Sequence, residues 1–206
     1  MGALLLAAGQ SRRMAGRDKL MEEIAGEPVL ARVARALAAS GVDEVIAVLR
    51  PDDPARSAAL AGLPVRIVRN PRAAEGMGTS IACAIAALDP AADGALIALA
   101  DMPELEARDH ARLLAAFDPG EGREIVRATT EDGAPGHPVL IGRRFFEPLA
   151  ASGGDEGARR LLQEHRDFVV TVALPGERAR TDLDTPEAWA AWRAARAAAE
   201  RAAEGA

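Results

Sequence analysis

A basic, glycine-containing segment near the start of the chain is the first candidate for chemistry. It reads LAAGQSRRMAGRDKL over residues 6–20 and contains four cationic side chains. Gly9 allows a tight turn in which backbone N–H groups face an anion without a Cβ in the way. Arg13 and Lys19 can neutralise phosphate oxygens, the first as a planar fork and the second as a mobile point charge. We therefore expect a phosphate-binding loop, with an ordinary basic surface loop as the alternative.

The composition draws further attention to Lys19. The 206 residues include 25 lysines and arginines together, and Lys19 is the one lysine among them. Asn70 is likewise the one asparagine. A chain so rich in alanine and arginine is typical of a codon bias that removes lysine and asparagine wherever they are dispensable. Lys19 and Asn70 are therefore candidates for functional residues. The alternative is that they remain by chance.

Two carboxylates are candidates for a metal site. Asp101 directly follows the apolar run ALIALA at residues 95–100, and Asp184 lies just before a predicted C-terminal helix. In an open α/β sheet, ligands bind outside the carboxyl ends of the strands, where Asp101 and the basic loop are both expected. Carboxylate oxygens suit a Mg²⁺ ion that keeps some of its water. Capping of a turn or helix is the alternative for each acid, and Asp182 could be the ligand in place of Asp184.

Composition and charge exclude several classes of protein. The net charge of −6 argues against a general nucleic-acid footprint. No apolar run approaches the ~18–20 residues of a membrane helix. Residues 3–8 are apolar but lack the basic leader of a secretory signal, so we expect a soluble cytoplasmic protein without nucleic-acid or membrane partners. The one cysteine, Cys83, excludes an intrachain disulfide framework and a Cys-rich zinc site.

Two familiar phosphate-binding motifs are also excluded. Walker A requires Gly-Lys-Ser/Thr, but Asp18 precedes the one lysine. A dinucleotide fingerprint requires G-x-G-x-x-G, and the GMG at residues 76–78 is followed by Ile81 where the third glycine would stand. The missing fingerprint argues against a nicotinamide-dependent oxidoreductase.

The elements that must position these residues follow from the apolar pattern. Short apolar runs alternate with amphipathic stretches of about ten to fifteen residues, which predicts βαβ units and an α/β fold with a mostly parallel central sheet flanked by helices. No linker divides the chain, so we expect a single domain over residues 1–206. Thr185 and Pro186 predict the start of a last helix over about 186–204. The predicted strands cover 3–8, 44–49, 65–68, 95–100, 124–129, 138–141 and 168–173, and further helices are predicted over 28–39, 77–88 and 107–117 and from 155 onward.

Taken with other segments in the same order, the basic loop resembles that of the molybdenum cofactor nucleotidyltransferases, and among them the cytidylyltransferases. The match spans nearly the whole chain and departs at Ala15, where such sequences usually have glycine directly after the Arg-Met pair. The resemblance implies an enzyme with the three-layer, Rossmann-like nucleotidyltransferase fold. The matching segments are LAAGQSRRMAGRDKL, NPRAAEGMGTS at residues 70–80, LADMP at 99–103, GHPV at 136–139, GDEGAR at 154–159 and DLDTP at 182–186.

The reaction that the resemblance implies is attack of a phosphate oxygen of the pterin cofactor on the α-phosphorus of a nucleoside triphosphate, with release of pyrophosphate. Two anions must meet, so the barrier is mainly electrostatic and positional. Arg13 and Lys19 would be the catalytic cations around the triphosphate. Asp101 and Asp184 would hold Mg²⁺ between the reacting groups.

The resemblance also implies residues that bind the nucleotide. Backbone N–H groups of the helix that opens at Gly76 could hold a ribose hydroxyl or a phosphate, with N-capping by Thr79 or Ser80 as the alternative. Asn70 could contact the base or the ribose, unless it only forms the turn before Pro71. The nucleotide-binding residues expected are Ala7, Ala8, Gly9, Asn70, Gly76 and Ser80.

His137 and Asp155 are expected on the side of the second substrate, the acceptor. His137 would position the acceptor or shape its loop, and no general base is required because a phosphate monoester is already largely ionised near neutrality. Asp155 could bind the acceptor or cap a helix.

CTP is the favoured nucleotide, because a Cβ at Ala8 narrows the pocket where guanylyl relatives tend to carry glycine. One methyl group discriminates by only about 1–3 kcal/mol. The expected partners are a nucleoside triphosphate, the molybdenum cofactor and, as a candidate, a recipient molybdoenzyme. The alternatives are GMP transfer from GTP, cytidylyl transfer to a sugar or polyol phosphate, and a catalytically silent cofactor-binding chaperone.

Overall fold

The structure, a computed structural model, describes residues 1–151 and 160–204. Its strands are β1 (Gly2–Leu6), β2 (Glu23–Ile24), β3 (Glu27–Pro28), β4 (Glu44–Leu49), β5 (Arg66–Arg69), β6 (Gly94–Leu99), β7 (Ile125–Thr129), β8 (Pro135–Gly142) and β9 (Val169–Ala173). Its helices are α1 (Val29–Ala38), α2 (Pro54–Ala59), α3 (Met77–Ala87), α4 (Ala107–Ala116), α5 (Phe146–Ala151) and α6 (Pro186–Glu204), and residues 160–164 are also helical.

Within the described residues, seven of the strands form one sheet in the order β5–β4–β1–β6–β8–β7–β9. β1 pairs in parallel with β4 and β6, β4 pairs in parallel with β5, and β7 pairs in parallel with β9. β8 runs antiparallel to both of its neighbours, β6 and β7. The predicted α/β fold with a mostly parallel sheet is confirmed. The direction of β8 was not predicted, because a short apolar run carries no signal of its direction.

Helices cover both faces of the sheet and so produce three layers. On one face, Leu30 of α1, Leu113 of α4 and Trp189 of α6 belong to one buried cluster. On the other face, Ile81 of α3 and Leu149 of α5 belong to a second cluster. The two clusters together form the core, with the sheet between them.

Strands β1 and β6 bring the two predicted chemical segments to the same edge of the sheet. Both strands are apolar and buried on both faces, as expected for central strands that helices cover on each side. Their parallel register pairs Leu6 with Leu99, so the two strands end at the same level. The loop after β1 therefore lies beside Asp101, which follows the end of β6 by two residues.

Four short elements are not predicted by the apolar pattern. β2 and β3 form a small antiparallel hairpin, the Asp53 side chain caps α2, and α5 is a helix of six residues. The start of the helix predicted from Asp155 lies outside the described residues. In the part of the chain that the structure describes, no helix is both long enough and apolar enough to cross a membrane.

Candidate active site

The loop that joins β1 to a 3-10 turn at Lys19–Met21 occupies residues 7–18 and is called the N-terminal loop below. Met14 fixes the middle of this loop to the core, since its side chain is fully buried. Ser11 and Ala15 have φ values of 49° and 50°, in the left-handed region. Glycine adopts this conformation more readily than alanine, so the backbone accounts for the glycine that the resemblance led us to expect at residue 15.

A buried arginine holds both ends of the N-terminal loop. The Arg56 side chain is 1% exposed, and its guanidinium donates to the Asp18 carboxylate at 2.8 and 2.7 Å and to the Ala7 carbonyl at 2.6 Å. The same carboxylate accepts from the Ser11 hydroxyl and from the Leu20 N–H, each at 3.1 Å. Burial acts to raise the pKa of Asp18, but the charge and hydrogen bonds of Arg56 outweigh it, so this pKa lies below its ordinary value.

Sequence reasoning did not find Arg56. The Asp-Pro pair at residues 53–54 is a helix-start signal that could have predicted α2. The inward orientation of Arg56, the one arginine of that helix, has no signal in the sequence, because the chain carries many other arginines on predicted surfaces.

Four charged side chains meet where β1 and β6 end. The Lys19 ammonium donates to Asp101 Oδ2 and to Asp184 Oδ1, and the Arg13 guanidinium donates to Asp184 Oδ2. The side chains of Lys19 and Asp101 are each 14% exposed and that of Asp184 is 16% exposed, whereas Arg13 is 68% exposed. Burial acts to lower the pKa of Lys19, but Asp101 and then Asp184 outweigh it and raise this pKa above its ordinary value. The lysine is therefore a cation throughout the physiological range.

The carboxylates of this cluster fit a divalent metal ion. Leu183 N–H donates to the Asp101 carbonyl at 3.2 Å, which holds the segment of Asp182 and Asp184 beside Asp101. Asp101 Oδ1 is buried and has no hydrogen-bond partner among the described residues, so this oxygen could ligate a cation without a competing contact. The pKa of Asp182 is raised, by burial first and then by the charges of Asp184 and Asp101. The part of this shift that comes from Asp184 and Asp101 reflects a negative potential, which a cation would relieve.

The metal ligands that the chain can supply are few. Among the described residues, no three or more His, Cys, Asp or Glu side chains are arranged to hold a metal ion. Asp101 and Asp184 would therefore supply part of a coordination shell, which water and phosphate oxygens would complete. This sharing is usual for Mg²⁺, which binds through one or two carboxylates and the substrate phosphates.

A cavity of about 710 Å³ opens over this cluster, between the N-terminal loop and the start of α3, and is called the loop cavity below. It brings together eight of the residues singled out from the sequence. Asp182, which the sequence left open as an alternative ligand, also lines it. The eight are Ala8, Gly9, Arg13, Lys19, Gly76, Ser80, Asp101 and Asp184.

Two predicted nucleotide-binding residues lie behind the wall of the loop cavity. Ala7 is buried, and its carbonyl accepts from Arg56. Asn70 is also buried, its Nδ2 donates to the hydroxyls of Thr79 and Ser80 at 2.9 and 3.0 Å, and its Oδ1 accepts from the Arg72 N–H at 2.9 Å. Both polar atoms of the Asn70 side chain are thus hydrogen-bonded to other residues of the chain. This geometry favours the turn-forming alternative and an indirect role, in which Asn70 fixes the start of α3 against the turn after β5.

His137 lies in a second cavity of about 720 Å³, which shares Met77 with the loop cavity. The backbone N–H of His137 donates to the Ala179 carbonyl at 2.8 Å. Gly136 is required for this approach, since a Cβ there would lie 2.0 Å from the same oxygen. His137 Nδ1 is buried without a hydrogen-bond partner among the described residues. Burial and then the charge of Arg127 lower the pKa of His137, so its imidazole is neutral near pH 7.

The walls of the second cavity are mostly apolar. Of the described residues that line it, Arg127, His137 and Arg166 are ionisable, and the apolar side chains come from α3, β6, β8, α5 and residues 161–162. Asp155, the other residue predicted on the acceptor side, lies outside the described residues.

Comparison with known proteins agrees with this geometry. The family model described as "MobA-like NTP transferase domain" matches residues 3–168. A protein named "Nicotine blue oxidoreductase", from Paenarthrobacter nicotinovorans, is 29% identical over 188 residues, which are 89% of this chain and 92% of that protein. A protein named "Probable molybdenum cofactor guanylyltransferase", from Synechococcus elongatus, is 33% identical over 183 residues, which are 84% of each chain.

Solved structures of one mycobacterial protein share the fold. The crystal structure of Rv0371c from Mycobacterium tuberculosis H37Rv has a TM-score of 0.80 and 28% identity, and the match covers 93% of this chain and 96% of that one. A structure of Rv0371c in complex with manganese has a TM-score of 0.73 and 26% identity, with 91% and 95% of the two chains covered.

Proposed function

The chain belongs to the MobA-like NTP transferase family and is a nucleotidyltransferase, and on this premise we propose that it transfers CMP from CTP to the phosphate of the molybdenum cofactor, with release of pyrophosphate. The observation that carries the proposal is the meeting of Lys19 and Arg13 with Asp101 and Asp184 at one cavity. Cations for a triphosphate and hard ligands for a divalent ion thus lie within reach of the same bound molecule.

In the proposed reaction, an oxygen of the acceptor phosphate forms a bond to the α-phosphorus of the nucleotide. The bond from that phosphorus to the bridging oxygen breaks, and pyrophosphate leaves with the electron pair. Lys19 and Arg13 neutralise the triphosphate and the charge that develops on the leaving group. The backbone around Gly9 presents N–H groups to the phosphates.

Asp101 and Asp184 are the proposed metal ligands, and Mg²⁺ is the proposed ion. When bound, a divalent ion polarises phosphate oxygens and offsets their charge. The solved structure of Rv0371c in complex with manganese supports a divalent ion as the cofactor. The neighbouring Asp182 adds negative charge without contacting the lysine, and we assign it no ligand role.

The second cavity is the proposed acceptor site. It adjoins the loop cavity at Met77, so an acceptor held there can reach a nucleotide in the loop cavity. Its apolar walls suit a flat heterocycle such as a pterin, and Arg127 and Arg166 suit an anionic group. His137 is neutral and can donate or accept one hydrogen bond to orient the acceptor. Asp155 stays a prediction for this site.

The proposal also specifies the nucleotide base, cytosine rather than guanine. Ala8 lines the loop cavity. We propose that its methyl group takes space that a purine would need. The relative named a guanylyltransferase makes GMP transfer from GTP the second candidate. Ala8→Gly is expected to shift the preference towards GTP by about ten- to a hundredfold, the range that one methyl group discriminates.

The test is a direct analysis of products. The protein is incubated with Mg²⁺, isolated molybdenum cofactor and either CTP or GTP, and the products are identified by mass spectrometry alongside pyrophosphate release. Formation of a cytidylyl dinucleotide supports the proposal. Formation of a guanylyl dinucleotide contradicts the choice of CTP and favours the second candidate, GMP transfer from GTP. Tight cofactor binding without pyrophosphate release from either nucleotide supports the silent chaperone instead.

The relative named an oxidoreductase makes a redox activity the alternative of a different class. The chain lacks the dinucleotide fingerprint, which argues against nicotinamide binding at the loop cavity. Fluorescence titration with NADH and NADPH separates the two classes, and saturable binding of either one would favour the redox activity.

A further inference from the structure

We propose that Lys19 closes the metal site of this chain, and that a nucleoside triphosphate opens it by withdrawing the lysine ammonium from Asp101 and Asp184. The inference rests on the proposed function and adds an order of binding to it. Metal ion and nucleotide enter together, or the nucleotide enters first, whereas the metal ion alone binds weakly.

The contacts of the two carboxylates carry the first step of the argument. Three of their four oxygens are engaged by cations of the chain itself: Lys19 holds one oxygen of each, and Arg13 holds the second oxygen of Asp184. Asp101 Oδ1 alone is left without a partner among the described residues. The lysine therefore bridges the two carboxylates, in the position that a shared cation would take.

Electrostatics carries the second step. A divalent ion that approaches the bridging ammonium meets a like charge at contact distance, with little solvent to screen it, because the three side chains are at most 16% exposed. A metal ion that ligates both carboxylates must displace Lys19 or Arg13 from Asp184, because both oxygens of Asp184 accept charge-assisted hydrogen bonds from these cations.

A triphosphate removes the obstacle by offering the lysine other partners. Lys19 is at the wall of the loop cavity, and its four-carbon stem lets the ammonium swing towards phosphate oxygens. Both carboxylates are then released to the metal ion, whose remaining ligands come from the same phosphates. By linkage, the factor by which nucleotide raises the metal affinity equals the factor by which metal raises the nucleotide affinity.

The first test measures Mn²⁺ binding to the whole protein by electron paramagnetic resonance, with and without a non-hydrolysable CTP analogue. Lys19→Met keeps the length of the side chain and removes its charge, so we expect Mn²⁺ to bind the nucleotide-free variant at least about tenfold more tightly than the wild type, the value of one charged hydrogen bond. The analogue should strengthen Mn²⁺ binding to the wild type much more than to the variant.

Arg17→Met is the matched control. Arg17 lies two residues before Lys19 and carries the same charge, but its guanidinium pairs with Glu22 and does not line the loop cavity. Its loss should change Mn²⁺ affinity by no more than about twofold, because exposed charges at a distance are screened. Adding Asp101→Asn to Lys19→Met should abolish the gain, which would place the bound ion at this site.

Equal Mn²⁺ affinity of the wild type and Lys19→Met, without nucleotide, would overturn the inference. It would leave the proposed function standing if the wild type still releases pyrophosphate. Failure of all forms to bind Mn²⁺, even with the analogue, would overturn both.

A second measurement needs no variant. Lys19 is the one lysine of the chain, so a ¹³C label at lysine Cε gives a single side-chain signal in the intact protein. CTP in the presence of EDTA should shift this signal, and Mg²⁺ alone should leave it in place at concentrations that saturate the ternary complex. A shift with Mg²⁺ alone at those concentrations, or no shift with CTP, would refute the order of binding.

Discussion

Replacement of Arg56 by methionine tests how the N-terminal loop is held. The substitution removes the guanidinium that contacts Asp18 twice and Ala7 once, and leaves an aliphatic chain of similar volume. Removing one partner of a buried ion pair costs about 3–5 kcal/mol. Because the Asp18 side chain is 28% exposed and can regain some water, we expect the lower end, about 3 kcal/mol.

Urea unfolding at pH 7 measures this free energy. Arg66→Met is the matched control, because Arg66 pairs with Glu44 at 2.6 Å on the surface and is 50% exposed. Its loss should cost no more than about 1 kcal/mol. In a double-mutant cycle, Asp18→Asn and Arg56→Met should be strongly non-additive, since each removes the same contact.

The functional consequence of Arg56→Met separates positioning from stability alone. Displacement of the loop should move Lys19 and Arg13 relative to the carboxylates, so the KM for nucleotide should rise about tenfold or more while the fold is intact at low temperature. Arg56→Lys keeps the positive charge but cannot form the bidentate contact with Asp18, so its KM for nucleotide should lie between those of the wild type and Arg56→Met. A variant that loses 3 kcal/mol yet keeps the wild-type KM for nucleotide would refute the positioning role.

Three further predictions concern charge. Lys19→Ala should lower kcat by about a hundred- to a thousandfold, as loss of one oxyanion donor does, with folding intact by circular dichroism; near-normal turnover would remove Lys19 from the mechanism. Asp101→Asn should raise the Mg²⁺ concentration needed for half-maximal activity by about tenfold or more, since a charged ligand is lost, and an unchanged titration would reassign Asp101 to structure. His110 is fully buried, and neither of its ring nitrogens has a hydrogen-bond partner among the described residues. Burial lowers its pKa from 6.5 to about 4, so the unfolded chain binds the proton more readily and the native state is progressively penalised as pH falls from 6.5 towards 4. The free energy of unfolding should therefore fall by about 3 kcal/mol over that interval in the wild type, and His110→Leu should remove this fall. An equal fall in both proteins, measured by urea unfolding at several pH values, would contradict the prediction.

The sequence predicted those parts of the site that directly follow a buried strand. The apolar runs before Gly9 and Asp101 predict buried strands, and parallel strands bring their carboxyl ends to one edge. That inference needs no knowledge of side-chain contacts, which is why Lys19 and Asp101 are found at the same cavity.

What the sequence did not predict depends on contacts between distant segments. Arg56 lies 38 residues from Asp18, and only the packing of α2 against the N-terminal loop turns its side chain inward. Asn70 stood out by its rarity, but its hydrogen bonds with Thr79 and Ser80 point to the start of α3. Rarity identified a residue that the fold uses, and it carried no information about whether that residue contacts a ligand.

A crystal structure of the protein with CTP and Mg²⁺ tests the central claim most directly. The account predicts electron density for the triphosphate in the loop cavity, with its oxygens on Lys19 and Arg13, and for a metal ion bound by Asp101 and Asp184. It also predicts that the Lys19 ammonium has left both carboxylates. Density for the nucleotide elsewhere on the molecule, with Lys19 still bridging Asp101 and Asp184, would contradict it.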